Sequence, residues 1–328
     1  MIAYTIRRLL VSIPILGVAS FIVFWLVSMS GDPVREKYGT RNPPVSQHVW
    51  DLEYQRLGLK DGFFVQYGHW LRDLLFQQNF GESINPSTHI NAEIDDRLWT
   101  TLRLILLAMV LALALAVVSG VFSAIRQYSR MDYTFTFLGF LFLSMPPFWV
   151  AVLLKEGAVA ANQGTGTKTF FTLGERTPGV DLHGWALFAD VAGHLVLPTL
   201  SLALITYAAW SRFQRASMLE VLNSDYIRLA RAKGVPWRKV LVRHALRTAL
   251  IPMVTISALA IAGLIGGAVI TESVFQWNGM GRFLLQSITA RDRNAILAWL
   301  MLAGFFVVVG NLVADLLYAV LDPRIRYG

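Results

Sequence analysis

Apolar residues in this chain run in long unbroken stretches, not in the short alternations of a soluble core. Six stretches are long enough to cross a hydrocarbon layer of about 30 Å, which takes about 20 helical residues. They are 9–30, 104–125, 133–154, 195–211, 253–271 and 295–321. The second holds no charge; the fourth is short and contains Pro198. Arg7 and Arg8 precede the first stretch, and Ser28-Met29-Ser30 closes it. Its apolar run exceeds the 7–15 residues of a signal-peptide core, so a retained anchor is expected. The pattern predicts an all-α membrane protein with six transmembrane helices. It divides the chain into a first span (1–30), a large loop (31–103) and a five-helix core (104–328).

Charge then orients the spans. With six crossings both termini share one side. Residues 1–8, 126–132, 212–252 and 322–328 hold 15 Lys and Arg against four acids. The connections on the other side hold 14 basic residues, diluted over a longer chain, against 16 acids. Basic residues accumulate in cytoplasmic loops, so both termini and 212–252 are expected in the cytoplasm of a multi-pass protein of the bacterial plasma membrane. The net charge of +8 is thereby a matter of topology, and no nucleic-acid partner is expected. Only 15% of residues are charged, against about 25% in soluble domains. With no cysteine, disulfides and thiolate metal sites are excluded.

In the 31–103 loop, Phe63, Tyr67, Trp70, Leu71, Leu74 and Leu75 recur near helical spacing. They predict an amphipathic helix, either a scaffold against membrane lipid or a platform for a soluble partner. A second outer loop is expected near 155–194. Trp99, Trp149, Trp277 and Trp299 fall near outer span ends, and Trp210 and Tyr318 near inner ones, as an interfacial aromatic belt would.

Candidate chemistry is sparse. Residues 164–169, GTGTKT, resemble a phosphate loop but place Thr167 where Gly must precede Lys168. Asp181, His183, Asp190 and His194 match no metal-ligand spacing and read as solvated loop residues. No nucleophile motif occurs. No catalytic, cofactor-binding or metal residue is therefore expected.

Polar and small residues inside the spans carry more. Asn311 and Asp315 share a helix face. They read as a packing pair near the inner end, and less readily as a proton relay, because an intramembrane acid normally faces protein. Glu272 lies at a span margin. The fifth span is rich in Gly, Ala, Ser and Thr and contains a G-x-x-x-G at Gly263 and Gly267. Such residues allow close helix packing or line a pathway. Pro146 and Pro147 must bend or break the third span.

The segment 212–252 holds nine Lys and Arg. Burying nine cations in lipid at roughly 3 kcal/mol each would cost on the order of 25 kcal/mol, so this is a cytoplasmic structure. Asp225 is expected to cap a helix over 226–233. Gly234 suits its left-handed end and Pro236 the first turn of a second helix. That second helix would carry Lys239, Arg243 and Arg247 as a stripe. Leu229 and Ala230 would be presented to a partner groove.

These residues resemble a known family. DYIRLARAKG and RHALRTALIP look like the cytoplasmic loop of permease subunits of binding-protein-dependent ATP-binding-cassette (ABC) importers. SMPPFW (144–149), HLVLPTLSLAL (194–204), GGAVITESVFQWNGMGRFL (266–284) and DLLYAVLDPRIRYG (315–328) extend the likeness over most of the chain. The nearest resemblance is to the first permease type of the dipeptide, oligopeptide and nickel branch. The wider superfamily reads E-A-A, three residues, Gly, nine residues, I-x-L-P. Here Arg228-Leu229-Ala230 replaces E-A-A, Gly234 keeps the glycine, and His244 and Arg247 stand at the Ile and Pro places.

The resemblance implies a type I importer fold and a non-enzymatic subunit forming half of a pathway for di- or oligopeptides. It implies a second homologous permease, two ABC ATPase subunits or domains that bind ATP and Mg, and an extracytoplasmic solute-binding protein. The coupling residues it implies are Asp225, Tyr226, Arg228, Leu229, Ala230, Lys233 and Gly234. A secondary transporter or channel working without an ATPase remains the competing class. It would need midplane ionisable groups or an internal repeat, and none is evident.

Overall fold

The structure, a computed structural model, describes residues 2–39 and 44–321; the side-chain surroundings of 2–5, 261–265, 267 and 318–321 lie outside that description. Every regular element described is helical. The first span is α1 (Ile2–Ser28). The 31–103 segment folds first into α2 (Pro33–Tyr38), α3 (Gln47–Arg56) and α4 (Phe63–Gln77). Next come α5 (Ile90–Ile125), α6 (Arg130–Ser144), α7 (Pro147–Thr165) and α8 (Gly184–Leu222). The basic segment contains α9 (Asp225–Ala232), α10 (Trp237–Lys239), a π-helix (Val240–Leu246) and α11 (Arg247–Ala249). The chain closes with α12 (Ile251–Phe275), α13 (Met280–Thr289) and α14 (Arg293–Leu321).

Five helices are long and apolar enough to cross a membrane, and the broken pair α6–α7 makes six. At 1.5 Å per residue α6 is about 22 Å long, too short to cross alone. Its axis turns by 108° into α7 at Met145-Pro146. Met145 is extended (ψ 134°), as a residue before proline is driven to be. Pro147 then occupies the first helical position, where its missing N–H leaves no bond unmade.

The expected span boundaries were too tight for two helices. α5 begins at Ile90 and α8 at Gly184, well before the apolar runs start; with α7 continuing to Thr165, α8 shortens the second connection to 166–183. The polar turns 90–103 and 184–194 remain helical because contacts between outer segments hold them. Arg103 pairs with Glu175 at 2.6 Å. Asp190 accepts from Thr177 N at 2.9 Å and Thr177 Oγ1 at 2.6 Å.

Asp190 and His194 are thus buried helix residues, not the solvated loop pair expected. Exposed Asp181 and His183 stand apart from them, and no metal-ligating cluster occurs among the described residues. Asn162 Oδ1 accepts from both Thr169 N and Phe170 N, making the 164–169 stretch a capped turn.

α5 and α8 form the tightest crossing. Leu104, Ala108, Ala112, Ala116 and Gly120 recur every four residues on α5 and are buried. α8 answers with Ala203, Tyr207, Ser211, Gln214 and Met218. A Cβ on Gly120 would stand 2.8 Å from Gln214 Cβ and 2.9 Å from Ser211 O, so the backbones approach this closely only with glycine there. α12, the small-residue helix, touches α5, α7, α8, α13 and α14. The surroundings of Gly263 and Gly267 lie outside the described residues.

α4 appears where the periodicity places it, and its apolar face is occupied within the chain. Phe63, Tyr67, Trp70, Leu71 and Leu74 pack on Phe24 and Val27 of α1 and on Leu297 of α14. Leu75 is exposed, outside the stripe. The outer helices are bolted down by polar contacts. Asp32 caps α2 and accepts from Tyr54, whose pKa burial and that carboxylate push up to about 12. Ser83 and Ile84 N bond to Asp292, which also caps α14 through Ala295 N.

Of the residues expected in an aromatic belt, Trp99 and Trp149 are exposed, while Trp299 is buried in the core. Trp277 is buried, its Nε1 donating to Thr100 O at 3.2 Å, and Trp210 is also core. Tyr318 has no described surroundings.

Candidate coupling surface

α8 carries Arg212 and Arg215 past the last apolar turn. Arg215 Nε and Nη2 lie 2.7 and 2.8 Å from Asp132, fixing the start of α6 to α8. At Ser224 the backbone becomes extended (φ −72°, ψ 152°) and redirects the chain into α9. The cap position is thus Ser224, not the expected Asp225. Asp225 is the first helical residue, and its carboxylate pairs with Arg228 Nη2 at 2.5 Å.

α9 buries one face. Ile227 is 1% exposed and joins Ala124 of α5, Met218 of α8, and Val240, Ala245 and Ala249 of the following helical path. At 100° per residue, position 230 falls within about 60° of Ile227, while 229 points almost directly away. Ala230 accordingly packs against this cluster, which corrects its expected presentation to a partner. Leu229 is 57% exposed on the same face of α9 as Tyr226, and Tyr226 and Trp237 are also exposed.

Gly234 adopts φ +74°. A Cβ there would meet nothing within 4 Å, so the backbone conformation, not crowding, calls for glycine. Its N–H donates to Arg231 O at 2.9 Å and closes α9. Pro236 is extended and precedes the helix; the first helical residue is Trp237, one later than expected.

The second arm is not the plain α-helix expected. Its π-turns, with wider i→i+5 bonding, carry it without a gap through Arg247–Ala249 into α12. Ser217 Oγ donates to Ala249 O at 3.1 Å and ties this arm to α8.

The exposed side is strongly basic. Arg231 stacks over the Trp237 ring at 5.0 Å. Lys233, Arg238, Lys239, Arg243 and Arg247 are exposed and form no ion pair among the described residues. An amphipathic knob of Tyr226, Leu229 and Trp237 ringed by unpaired cations is chemically suited to an acidic-rimmed apolar groove.

Asn311 is half-buried. Asp315 lies 2.5 Å from Arg8 Nε, so an ion pair joins the N-terminal part of α1 to the C-terminal part of α14. Pro146 and Pro147 form the span break described above.

One feature escaped sequence reasoning. Glu272, marginal in the sequence, is fully buried at the outer end of α12. It accepts from Thr101 Oγ1 at 2.6 Å and from Arg282 N at 3.1 Å. Thr101 Oγ1 in turn accepts from Met280 N at 2.7 Å. The 276–282 turn is wrapped around this carboxylate, and a Cβ on Gly279 or Gly281 would collide with it. The only sequence signal was an acid five residues before a Trp-Asn-Gly turn.

Comparison with known proteins decides the family. Residues 116–327 match the model of the binding-protein-dependent transport system inner membrane component. The chain belongs to this family. An oligopeptide transport system permease protein of Mycobacterium tuberculosis (strain ATCC 25618 / H37Rv) is 40% identical over 326 residues, covering 99% of both chains. One from Bacillus subtilis (strain 168) is 40% identical over 331 residues, covering 100% of both. A dipeptide transport system permease protein of Alkalihalophilus pseudofirmus is 36% identical over 339 residues, again covering 100% of both. The chain is therefore a multi-pass permease of a bacterial inner membrane, a transport component with the type I importer fold.

Proposed function

We propose that this permease lines half of the peptide pathway of an ATP-driven importer and receives its driving force through the α9 hairpin. The observation that carries this reading is the hairpin's division of faces. Ile227 roots it on α5 and α8, while Leu229, Tyr226 and Trp237 project among unpaired cations. The partner on this face is one of two ABC ATPase subunits or domains, which bind ATP and Mg; the permease itself holds no cofactor. A second homologous permease completes the pathway, and an extracytoplasmic binding protein delivers di- or oligopeptides to the outer face. The peptide assignment rests on the names of the relatives, oligopeptide and dipeptide permeases.

Closure of the ATPases on ATP would push the hairpin. Because its second arm runs unbroken into α12, the displacement would pass into the helix that touches most of the core.

The test is retention of the ATPase by the tagged full chain after detergent extraction from its host. Wild type should retain it. Leu229→Asp, which sets a like-charged, desolvated acid in an acidic-rimmed groove, should lose it at unchanged membrane abundance. Undiminished retention by Leu229→Asp would end the docking assignment.

A further inference from the structure

At the outer end of α1, two recesses meet at one guanidinium. The first is a cavity of about 240 Å³ walled by Phe24, Arg56, His69, Trp70, Asp73 and Arg293. The second is an open, largely apolar groove of about 680 Å³ between α1 and α4, walled by Phe21, Trp25, Met29, Phe63, Phe64 and Arg293. Arg293, the first residue of α14, lines both.

Arg293 is under-partnered for a cation in this position. Nη1 donates to Gln66 Oε1 at 3.3 Å, and the guanidinium lies 4.8 Å from the Phe24 ring centroid. Nε and Nη2 are buried with no hydrogen-bond partner, as is Trp70 Nε1 in the wall of the first cavity. The nearby carboxylates are engaged elsewhere. Asp73 pairs with Arg72, Glu82 with Arg56, and Asp292 with Ser83 and the Ile84 and Ala295 amides. Leaving a buried charged donor unpaired costs more than leaving a neutral one so, and a site of this kind calls for an oxyanion.

The groove states what carries that oxyanion. It opens beside Trp25, which is exposed within one turn of the end of α1 at Ser28. The end of a membrane-spanning helix is where lipid phosphodiesters sit. An aromatic wall then runs along α1 where acyl chains would lie. We propose that Arg293 and the Phe21–Trp25–Phe64 groove bind an anionic phospholipid of the outer leaflet, phosphate on the guanidinium and acyl chain along the aromatic wall. The lipid would brace α1 and α4 against the end of α14.

The assembled transporter carrying the full chain, in nanodiscs of mixed phosphatidylglycerol and phosphatidylcholine, provides the test. Native mass spectrometry counts lipids retained after release. Wild type should retain phosphatidylglycerol above the bulk ratio. Arg293→Gln should lower that excess about tenfold, the loss of one charge-assisted contact, with Arg293→Lys between them. Trp25→Ser should lower it several-fold through the acyl wall alone. Trp25 is exposed and its side chain makes no hydrogen bond among the described residues, so this variant decides the matter even if Arg293→Gln unfolds. Equal retention in Trp25→Ser and wild type would overturn the proposal. So would displacement of phosphatidylglycerol by inorganic phosphate alone, which would make the cavity a small-anion site. The result does not depend on peptide transport.

Discussion

Arg215 of α8 grips Asp132 in the first turn of α6 in a two-pronged pair, Nε and Nη2 at 2.7 and 2.8 Å. The carboxylate is almost wholly buried and also accepts from Tyr128 N at 2.9 Å. Asp132→Asn keeps the shape but removes the charge that both prongs address. Hydrogen bonds to charged groups contribute about 1.5–3 kcal/mol, so a destabilisation of about 2–3 kcal/mol is expected. Arg215→Lys should fall between, since an ammonium cannot fork. Unfolding midpoints of the purified variants measure both; equal midpoints for Asp132→Asn and wild type would contradict the role assigned here.

Gly234 separates folding from coupling. At φ +74° a side chain there costs roughly 1–2 kcal/mol of local strain without touching any neighbour. Gly234→Val should insert normally, yet misplace Trp237 relative to Leu229. Membrane abundance near wild type, with ATPase activity no longer stimulated by loaded binding protein, is the expected pair of readings. Intact stimulation would reduce the hairpin to a topological anchor.

Two glycines in helices should respond with opposite signs. A methyl at Gly120 meets Gln214 and Ser211 O at under 3 Å, and overpacking of this kind costs about 1–3 kcal/mol. Gly157 of α7 has open space around it, so Gly157→Ala should gain up to about 1 kcal/mol from helix propensity. Thermal unfolding of the single variants gives both signs. A Gly120→Ala protein as stable as wild type would mean α5 and α8 are not fixed at this distance.

Asp315 discriminates the transport classes. Its partner Arg8 is largely exposed, and such pairs contribute about 0–1 kcal/mol. Asp315→Asn should leave ATP-driven uptake near wild type. A proton-coupled carrier relying on this acid would instead lose accumulation, so vesicle uptake with and without ATP separates the two.

The sequence marks what lipid demands and little else. Long apolar runs mark the helices that are long and apolar enough to cross a membrane, and Pro146-Pro147 marks the break in the third. Hydropathy is blind to helix continuing into water, so the outer turns of α5 and α8 were missed; ion pairs and caps from distant loops hold them. Rotation about α9 was legible only by committing to one buried residue. Choosing Ile227 would have turned Ala230 inward at once. Glu272 could not be ranked from the sequence, because its significance is the backbone and hydroxyl donors, Arg282 N and Thr101 Oγ1, brought to it where α12, α13 and α5 meet.

The placement of α1 has a consequence for how the protein is made. Its inner end is held by Asp315 and its outer end by Leu297, both on the last helix to be synthesised. Roughly 270 residues separate Phe24 from Leu297, so a ribosome adding 5–20 residues per second leaves α1 without its main partner for about 15–55 s. During that interval the first helix must be sheltered by lipid, the insertion machinery or a chaperone. Truncations that end before α14 should therefore expose an orphan first span to membrane proteases, however well the intervening helices have folded.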